Sequence, residues 1–516
     1  MRTITILSLL LGAGFFTYRL QADPPANPLV ECRRTWNRQG YTEKGGDKKN
    51  TLYIPGQKES YPDFIERLNR THCKKEWLIL VYMAADNDLS PFSFRDLWEM
   101  ESIGSSSYVD VVVFQDHAQK DGMFYYHMAE NPEKKNYEML FEKYLEQKGT
   151  EKKDKVDQEV DFLIQKGMEI VKSPIVKEFP EGDSGDVKTL IQFAEWAAIH
   201  YPSERIMLVG WSHGQGFDAN IDGKEVEKEL GTGWDKKLNG SKQGGFAFDE
   251  KPKASHMRVT DLAVEMKKLL ERLKRTSLEI FGSDACLNQQ VEFAYEWKGI
   301  ADYVFGSSTI VQKKGFNYHT LLEWFWEHAH DSTADLAKKI PKLYGGSVGS
   351  GSGKKYSSYY DPWATMATWT VGEMEFLKNA LEDLAGVLTL WIDAAEDEID
   401  KLNRTKKLRK VFTDTQRLGG VSNDLFNFLQ VLGSVFSDNK PILKEVNSCR
   451  DLLRRSILSE YIGTKYRSGL LSTSLGVALW LPQKAEEWKE MLPKFSQSRF
   501  YAGKNSPWRQ LMGRMF

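Results

Sequence analysis

The sequence is poor in cysteine, carries almost no excess charge, and has no long apolar run beyond its first residues. Four cysteines among 516 residues are too few to hold a fold together by disulfides. A formal net charge of −2 does not indicate a nucleic-acid or membrane-surface partner. No interior apolar stretch has the length that spans a bilayer. The remaining composition, 41% apolar and 28% charged, is typical of a globular protein of more than one domain.

Motifs for phosphate or metal binding are also missing. The chain has no Gly-rich phosphate loop. His328 and His330 lack the cysteine or carboxylate framework of a zinc site, and the acidic segment 218–225 does not follow a calcium-loop pattern. We therefore predict no metal site and no cofactor, with calcium dependence left open.

The first 22 residues have the pattern of a secretory signal peptide. Arg2 precedes an apolar run at residues 4–16, and Ala22 stands at the predicted cleavage point. The run is short for a membrane span. We expect cleavage, no integral membrane span in the mature chain, and a secreted or periplasmic location; an uncleaved membrane anchor is the alternative.

The rest of the chain divides into four parts. Residues 23–74 show little periodicity and are predicted to be an N-terminal extension or pro-segment. In residues 75–345 short apolar runs alternate with helical patterns, which predicts an α/β domain with a mainly parallel sheet flanked by helices. Residues 346–357 are rich in Gly, Ser and Lys, as in mobile linkers. Residues 358–516 carry long helical patterns and one late strand, at 474–482, and are predicted to form an α+β domain.

Two predicted strands end in residues that could carry nucleophilic chemistry. VGWSHGQG places His213 after a strand at 205–211, and GSDACLNQ places Cys286 at the end of a strand at 278–285. Ligands bind beyond the carboxyl ends of strands in open α/β sheets, so we expect both residues at one edge. The imidazole could take the thiol proton, and a helix predicted at 287–298 would lower the pKa of the thiol. The N–H groups of Gly214 and Cys286 could hold an oxyanion.

The same segment allows a competing interpretation. GWSHG fits the nucleophile elbow G-x-S-x-G of serine hydrolases, with Ser212 as nucleophile. Asp249 or Asp302, and His256 or His319, could complete its triad. An elbow must lead directly into a helix, but the next residues, QGFDANIDGKE, have no apolar period. The pattern therefore favours the cysteine.

Several segments resemble the clostripain-like cysteine peptidases, relatives of caspases, gingipains and legumains. Three segments are similar, in this order, to the opening, histidine and cysteine blocks of that family: WLILVYMAADNDLS, PSERIMLVGWSHGQGF and SDACLNQQVEFAYEWKGIADYVFGSS. DPWATMATWTV, VSNDLFNFL and STSLGVALWLP resemble its C-terminal domain. The resemblance implies a caspase-like fold and an exported cysteine endopeptidase acting on proteins or peptides, with no nucleic-acid partner. A catalytically inactive, peptidase-like binding protein is the alternative.

The resemblance also implies residue roles. His213 would be the general base, Cys286 the nucleophile, and the main chain of Gly214 and Cys286 the oxyanion site. Asp284 matches an acidic residue in the family's pocket for the residue before the scissile bond, where a buried carboxylate would select Arg or Lys. A helix N-cap is the alternative role for Asp284.

The sequence departs from the family pattern after the strand predicted at 301–308. Acidic residues and a Pro-Gly turn are common there in the family, whereas this chain has Lys313 and Lys314. Two lysines near the pocket would weaken a preference for basic residues.

Members of the family are typically zymogens cut between the histidine and cysteine blocks. Here residues 222–245 are hydrophilic and rich in glycine, as is usual in segments where proteolysis concentrates. We predict self-cleavage after one of the lysines of this segment; an uncut surface loop is the alternative. The candidate lysines are Lys224, Lys228, Lys236, Lys237 and Lys242.

Overall fold

The structure of the protein is a computed structural model. It describes residues 74–118, 122–131, 171–217, 245–249, 255–311, 315–345, 365–418, 422–463, 473–501 and 506–516. The predicted signal peptide, residues 23–73 of the predicted extension, the predicted linker and the five candidate lysines lie outside the described residues.

Within these ranges the chain forms one large sheet and two small ones. The strands are β1 (Lys75–Ala85), β2 (Val109–His117), β3 (Met123–His127), β4 (Ile175–Phe179), β5 (Ser203–Trp211), β6 (Phe246–Asp249), β7 (Ser255–Met257), β8 (Leu278–Asp284), β9 (Ala301–Gly306), β10 (Thr365–Thr370), β11 (Arg417–Leu418), β12 (Ser422–Asp424), β13 (Ile457–Ile462) and β14 (Ala478–Leu479). Nine of the described strands form the large sheet in the order β13-β10-β9-β8-β5-β1-β2-β3-β4. β11, β12 and β14 form a second sheet, and β6 pairs with β7.

The five central strands of the large sheet, β9, β8, β5, β1 and β2, run parallel. Antiparallel strands extend both sides: β3 and β4 beyond β2, and β10 and β13 beyond β9. The described helices are α1 (Ser90–Glu101), α2 (Val187–His200), α3 (Val259–Arg272), α4 (Val291–Glu296), α5 (Tyr318–Glu327), α6 (Thr333–Tyr344), α7 (Met374–Asp393), α8 (Glu398–Asp414), α9 (Leu425–Val435), α10 (Lys440–Ser456), α11 (Ala485–Phe495) and α12 (Pro507–Met515).

Strand β1 shows why the sheet is covered on both faces. Leu78 and Leu80 belong to a core with α2, α3 and the C-terminal helices. Trp77, Ile79 and Val81, which alternate with them, belong to a second core with α1, α5 and α6. Successive side chains of a strand point to opposite faces, so a continuous apolar run is the pattern of a strand buried on both. The predicted mainly parallel sheet flanked by helices is confirmed.

The antiparallel strands were not predicted. β3 and β4 extend the sheet beyond β2. β4 has the sequence IVKEF and no buried residue, so it lacks the apolar run that marks a central strand. The expected strand at 474–482 is reduced to the two residues of β14. β10 and β13 come from the predicted C-terminal domain and still join the large sheet.

Helix α1 begins at Ser90. Its N-cap position is Leu89, which has no side-chain cap. Asn87 instead accepts a hydrogen bond from the Leu89 N–H at 2.9 Å. Across the described ranges, no helix combines the length and apolarity needed to cross a bilayer.

Candidate active site

The carboxyl ends of β5 and β8 lie side by side in the sheet. Trp211, the last residue of β5, pairs in parallel register with Asp284, the last residue of β8. The Ser212 N–H also donates to the Asp284 carbonyl at 3.4 Å. His213 and Cys286 each follow this pair by two residues, and neighbouring strands lie about 4.8 Å apart. The fold thus brings the two predicted residues to one edge of the sheet.

Gly214 packs directly against the cysteine segment. A Cβ at this position would collide with the Cys286 carbonyl oxygen and lie 2.9 Å from the Ala285 Cβ. Only glycine permits so close an approach of two main chains. The main-chain groups of Gly214 and Cys286, predicted to bind an oxyanion, are therefore neighbours.

Cys286 lies in a turn rather than at the start of a helix. Helix α4 begins only at Val291, and Leu287 has a left-handed conformation with φ of 64°. The prediction of a helix from residue 287 is wrong in its first turn, and none of the helices in the described residues begins at the sulfur. Burial instead raises the pKa of the Cys286 thiol to about 12, and the charge of Asp284 adds to the rise.

The thiol contacts main-chain groups of a neighbouring segment. The Val311 N–H donates to the Cys286 Sγ at 3.3 Å, and the Val311 carbonyl lies 3.9 Å from the same sulfur. Val311 follows β9, the strand next to β8, and the N–H of Leu287 donates to the Thr309 carbonyl at 3.1 Å. The N–H of Val311 partly offsets the effect of burial on the thiol.

His213 has a carboxylate partner that we did not predict. Its Nε2 lies 2.5 Å from Oδ1 of Asp88. The His213 side chain is 11% exposed and that of Asp88 is 32% exposed. Asp88 belongs to the turn AADND after β1, the strand beside β5. That turn was visible in the sequence, but nothing local linked it to the histidine.

Two buried amides connect the cysteine segment with the histidine loop. Asn288 Oδ1 accepts from the Gly216 N–H at 3.1 Å, and Gln290 Oε1 accepts from the Phe217 N–H at 2.5 Å. Gln290 Nε2 also donates to the Ser422 hydroxyl, which lies in β12. Both amides were present in the motif CLNQQ, but their hydrogen-bond partners become apparent only in the fold. They hold the two loops that carry Cys286 and His213 in fixed relation.

Replacing Gln290 with Ala is expected to misplace the histidine loop. The change removes the hydrogen bond from the buried Phe217 N–H to Gln290 Oε1, which costs about 1–3 kcal/mol of stability. Since small displacements of catalytic groups cost about 100-fold in rate, we expect kcat to fall by about 10- to 100-fold with little change in KM. Steady-state kinetics and denaturant unfolding measure the two effects.

Gln289 provides the matched control. It is equally buried, but its amide donates to the Ala367 carbonyl of β10 at 2.7 Å and not to the histidine loop. Gln289→Ala also removes a buried hydrogen bond between an amide and the main chain, so we expect a similar loss of stability. Because this bond does not reach the histidine loop, kcat should stay within about threefold of the wild type. Equal losses of kcat in both variants would contradict a positioning role for Gln290.

Ser212 is bound to structural groups. Its hydroxyl donates to the Ala84 carbonyl at 2.8 Å and accepts from the Phe248 N–H at 3.1 Å. The Asn87 amide lies 3.4 Å away. None of its hydrogen-bond partners among the described residues is a histidine, and the hydroxyl proton is held by a main-chain carbonyl. His319 bonds to Ser102 instead. The triad of the competing interpretation is not assembled.

Asp284 lies buried beside the cysteine and does not cap a helix. Its Oδ2 accepts from the Tyr318 hydroxyl at 3.0 Å and the Phe316 N–H at 3.3 Å. The N-cap position of α4 belongs to Gln290, six residues later. Burial raises the pKa of Asp284 to about 7, and the two hydrogen bonds oppose the rise. The alternative role as a cap is thus wrong.

A second buried carboxylate, that of Asp96 in α1, adjoins Asp284. A Cβ at Gly315 would lie 3.2 Å from Asp284 Oδ2 and 3.3 Å from Asp96 Oδ2. The Trp211 indole donates to Asp96 Oδ2 at 2.7 Å. Burial, reinforced by the charges of Glu99 and Asp284, holds the pKa of Asp96 well above its usual range. Asp96 was missed because its helix lies far from the cysteine segment in sequence.

Lys313 and Lys314 lie outside the described residues. On either side of them, Val311 contacts Cys286, and Gly315 lies next to the carboxylates of Asp284 and Asp96. In the described ranges, no three His, Cys, Asp or Glu side chains converge as metal ligands would.

Comparison with known proteins gives one family and several similar folds. The model of the clostripain family, Peptidase_C11, matches residues 81–512. A secreted C11 cysteine protease from Bacteroides thetaiotaomicron, solved with an irreversible peptide inhibitor, is 16% identical with a TM-score of 0.50, covering 82% of this chain and 99% of that chain. A second structure of a secreted C11 protease from that organism, called iotapain, is 13% identical with a TM-score of 0.52, covering 83% and 98%.

An inactive zymogen C11 protease from Parabacteroides distasonis is 15% identical with a TM-score of 0.51, covering 83% of this chain and 97% of that chain. At these identities the structures establish a shared fold. No curated protein matches the chain.

Proposed function

Since the chain belongs to the clostripain family of cysteine peptidases, we propose that Cys286 is its nucleophile and His213 its general base. The observation that carries the proposal is the pairing of Trp211 with Asp284, which aligns the ends of the two strands. The contact of Gly214 with the Cys286 main chain supports it. The substrates are peptide bonds of proteins or peptides.

The proposed reaction uses groups of the chain itself. His213 takes the proton of the Cys286 thiol as the sulfur attacks the carbonyl carbon of the substrate. The N–H groups of Gly214 and Cys286 stabilise the oxyanion. His213 then gives the proton to the leaving amine, which departs as the C–N bond breaks, and water hydrolyses the thioester. Because burial keeps the resting thiol protonated, proton transfer accompanies the attack. We expect turnover without an added cofactor, and the rate before and after chelation of calcium measures the calcium dependence that the sequence leaves open.

We further propose that the enzyme prefers Arg or Lys before the cut, with Asp284 as the selecting carboxylate. A carboxylate in a water-poor site favours a cationic partner strongly. The buried position of Asp284 next to Cys286 and the neighbouring carboxylate of Asp96 support this proposal.

The zymogen prediction leads to a simple comparison of masses. We expect purified wild-type protein to be cut after a lysine between residues 222 and 245, and Cys286→Ala to remain whole in that segment. Intact-mass spectrometry of both proteins measures the cut. A cut at the same bond in both would show that another protease makes it.

Export is the remaining part of the proposal. Two structures of similar fold are described as secreted proteases, and the N-terminal 22 residues have the signal pattern. The same mass spectra, taken on protein from an exporting host, are expected to place the mature N-terminus at Asp23. An N-terminus that retains the apolar run would contradict this.

A further inference from the structure

We propose that Asp88 is a positioning residue that fixes the orientation and tautomer of His213. The proposal rests on the proposed role of His213 as general base. It is argued from the 2.5 Å contact between Asp88 Oδ1 and His213 Nε2.

The turn that carries Asp88 is held by hydrogen bonds on both sides. The Asn87 amide donates to the Ala84 carbonyl at 2.9 Å and to the Phe248 carbonyl at 2.7 Å. Its Oδ1 accepts from the Leu89 N–H at 2.9 Å, which ties the turn to the start of α1. Asp88 thus lies between two residues whose main chain is restrained.

The histidine side of the contact is restrained by the same turn. Ser212, directly before His213, donates its hydroxyl proton to the Ala84 carbonyl at 2.8 Å. The loop after His213 is held by Asn288 through the Gly216 N–H. The carboxylate and the imidazole therefore meet because both of their loops are joined to the end of β1. A pair of flexible surface side chains would lack this preorganisation.

The chemistry follows from which ring nitrogen is engaged. A carboxylate accepts hydrogen bonds, so the neutral ring carries its proton on Nε2. The lone pair of Nδ1 is then the base that takes the thiol proton. Once the ring is protonated, the negative charge of Asp88 stabilises the new positive charge, and Asp88 does not take up a proton itself. An orienting carboxylate of this kind acts on the rate of the chemical step more than on substrate binding.

The test combines kinetics with a direct measurement of the tautomer. In Asp88→Asn the amide can offer a donor to Nε2, so we expect kcat to fall by about 10²- to 10⁴-fold with KM changed much less. In the ¹⁵N spectrum of histidine-labelled Cys286→Ala, the His213 ring should be the Nε2–H form. Adding Asp88→Asn should shift it towards the Nδ1–H form. His213→Gln identifies the signal among nine histidines.

Asp331 provides the matched control, since its Oδ2 lies 2.9 Å from Nδ1 of His328. This pair lies at the amino end of the sheet, where Arg205 of β5 donates to the Asp331 carbonyl. Asp331→Asn should leave kcat unchanged. Asp88→Glu, which keeps the charge, should recover part of the loss.

Unchanged kcat in Asp88→Asn, or reduced kcat with an unchanged tautomer, would overturn the positioning role. The positioning role would also be overturned if the loss of kcat were fully explained by a larger unfolded fraction, measured from the shift of the unfolding midpoint. Full activity of His213→Gln would instead overturn the proposed role of His213 as general base. Failure of the Asp88 proposal and failure of the proposed function therefore give different results.

Discussion

Cys286→Ala is expected to reduce kcat/KM for peptide hydrolysis by at least about 10⁴-fold, because the sulfur forms the covalent bond to the substrate and no other group replaces it. Ser212→Ala should lose less than about tenfold. The Ser212 hydroxyl bridges the Ala84 carbonyl and the Phe248 N–H, so its loss should lower stability by about 1–3 kcal/mol. Both variants are compared with wild type on peptide amides ending in lysine or arginine, below their unfolding temperatures.

Cys449 gives this experiment a second free thiol as its control. It is buried in α10, and burial raises its pKa also. Cys449→Ala should keep full activity, which separates the role of one sulfur from a general effect of thiol removal. Loss of activity in Ser212→Ala alone, in a folded protein, would support the serine mechanism. No turnover by cleaved wild type would support the inactive, binding-protein alternative.

Asp284→Asn is expected to reduce kcat/KM for substrates with Lys or Arg before the cut by about 100- to 1000-fold, the size of removing one partner from a buried charge pair. Substrates with an uncharged residue at that position should change by less than about threefold. Asparagine has nearly the same shape and can still accept from the Tyr318 hydroxyl or the Phe316 N–H. The measurement is the ratio of kcat/KM for matched basic and neutral peptides.

The preference should also depend on pH. Burial raises the pKa of Asp284 to about 7, so the carboxyl is about one-tenth ionised at pH 6 and about nine-tenths ionised at pH 8. Only the ionised form attracts a cation strongly. The ratio for basic over neutral peptides should therefore rise with pH through about 7 in the wild type. Burial also raises the pKa of Asp96, and ionisation of this second carboxyl would change the preference in the same direction as pH rises.

Asp302 is the matched control because it lies at the amino end of β9, away from the cysteine edge. Asp302→Asn should leave the ratio and its pH dependence unchanged. Equal losses on basic and neutral peptides in Asp284→Asn would indicate a structural role for Asp284. An unchanged ratio would place the selecting group elsewhere.

The central strands could be predicted because their signal is local. β1, β5 and β8 are continuous apolar runs, and each is buried on both faces in the fold. The edge strand β4 could not be found this way, since it buries no residue and is charged. Its strand geometry depends on pairing with β3, and no local sequence pattern predicts that pairing.

The turn at Cys286 shows the opposite kind of error. We predicted one continuous helix over residues 287–298. Leu287 is indeed buried, but with a positive φ that a helix does not allow. The segment between it and Val291 is occupied by amides that bond to the histidine loop and to Ser422. Bonds to distant segments outweighed the local helical tendency.

By itself, the sequence determined the parallel core and the two strand ends that carry His213 and Cys286, because apolar runs and the breaks after them are properties of neighbouring residues. Only the tertiary structure decided the surroundings of these two groups. Asp88 at the imidazole, Val311 at the sulfur and Asp96 beside Asp284 come from segments separated along the chain. Strand register and packing bring them together, and from them follow the burial, hydrogen bonds and charges that set the state of each group.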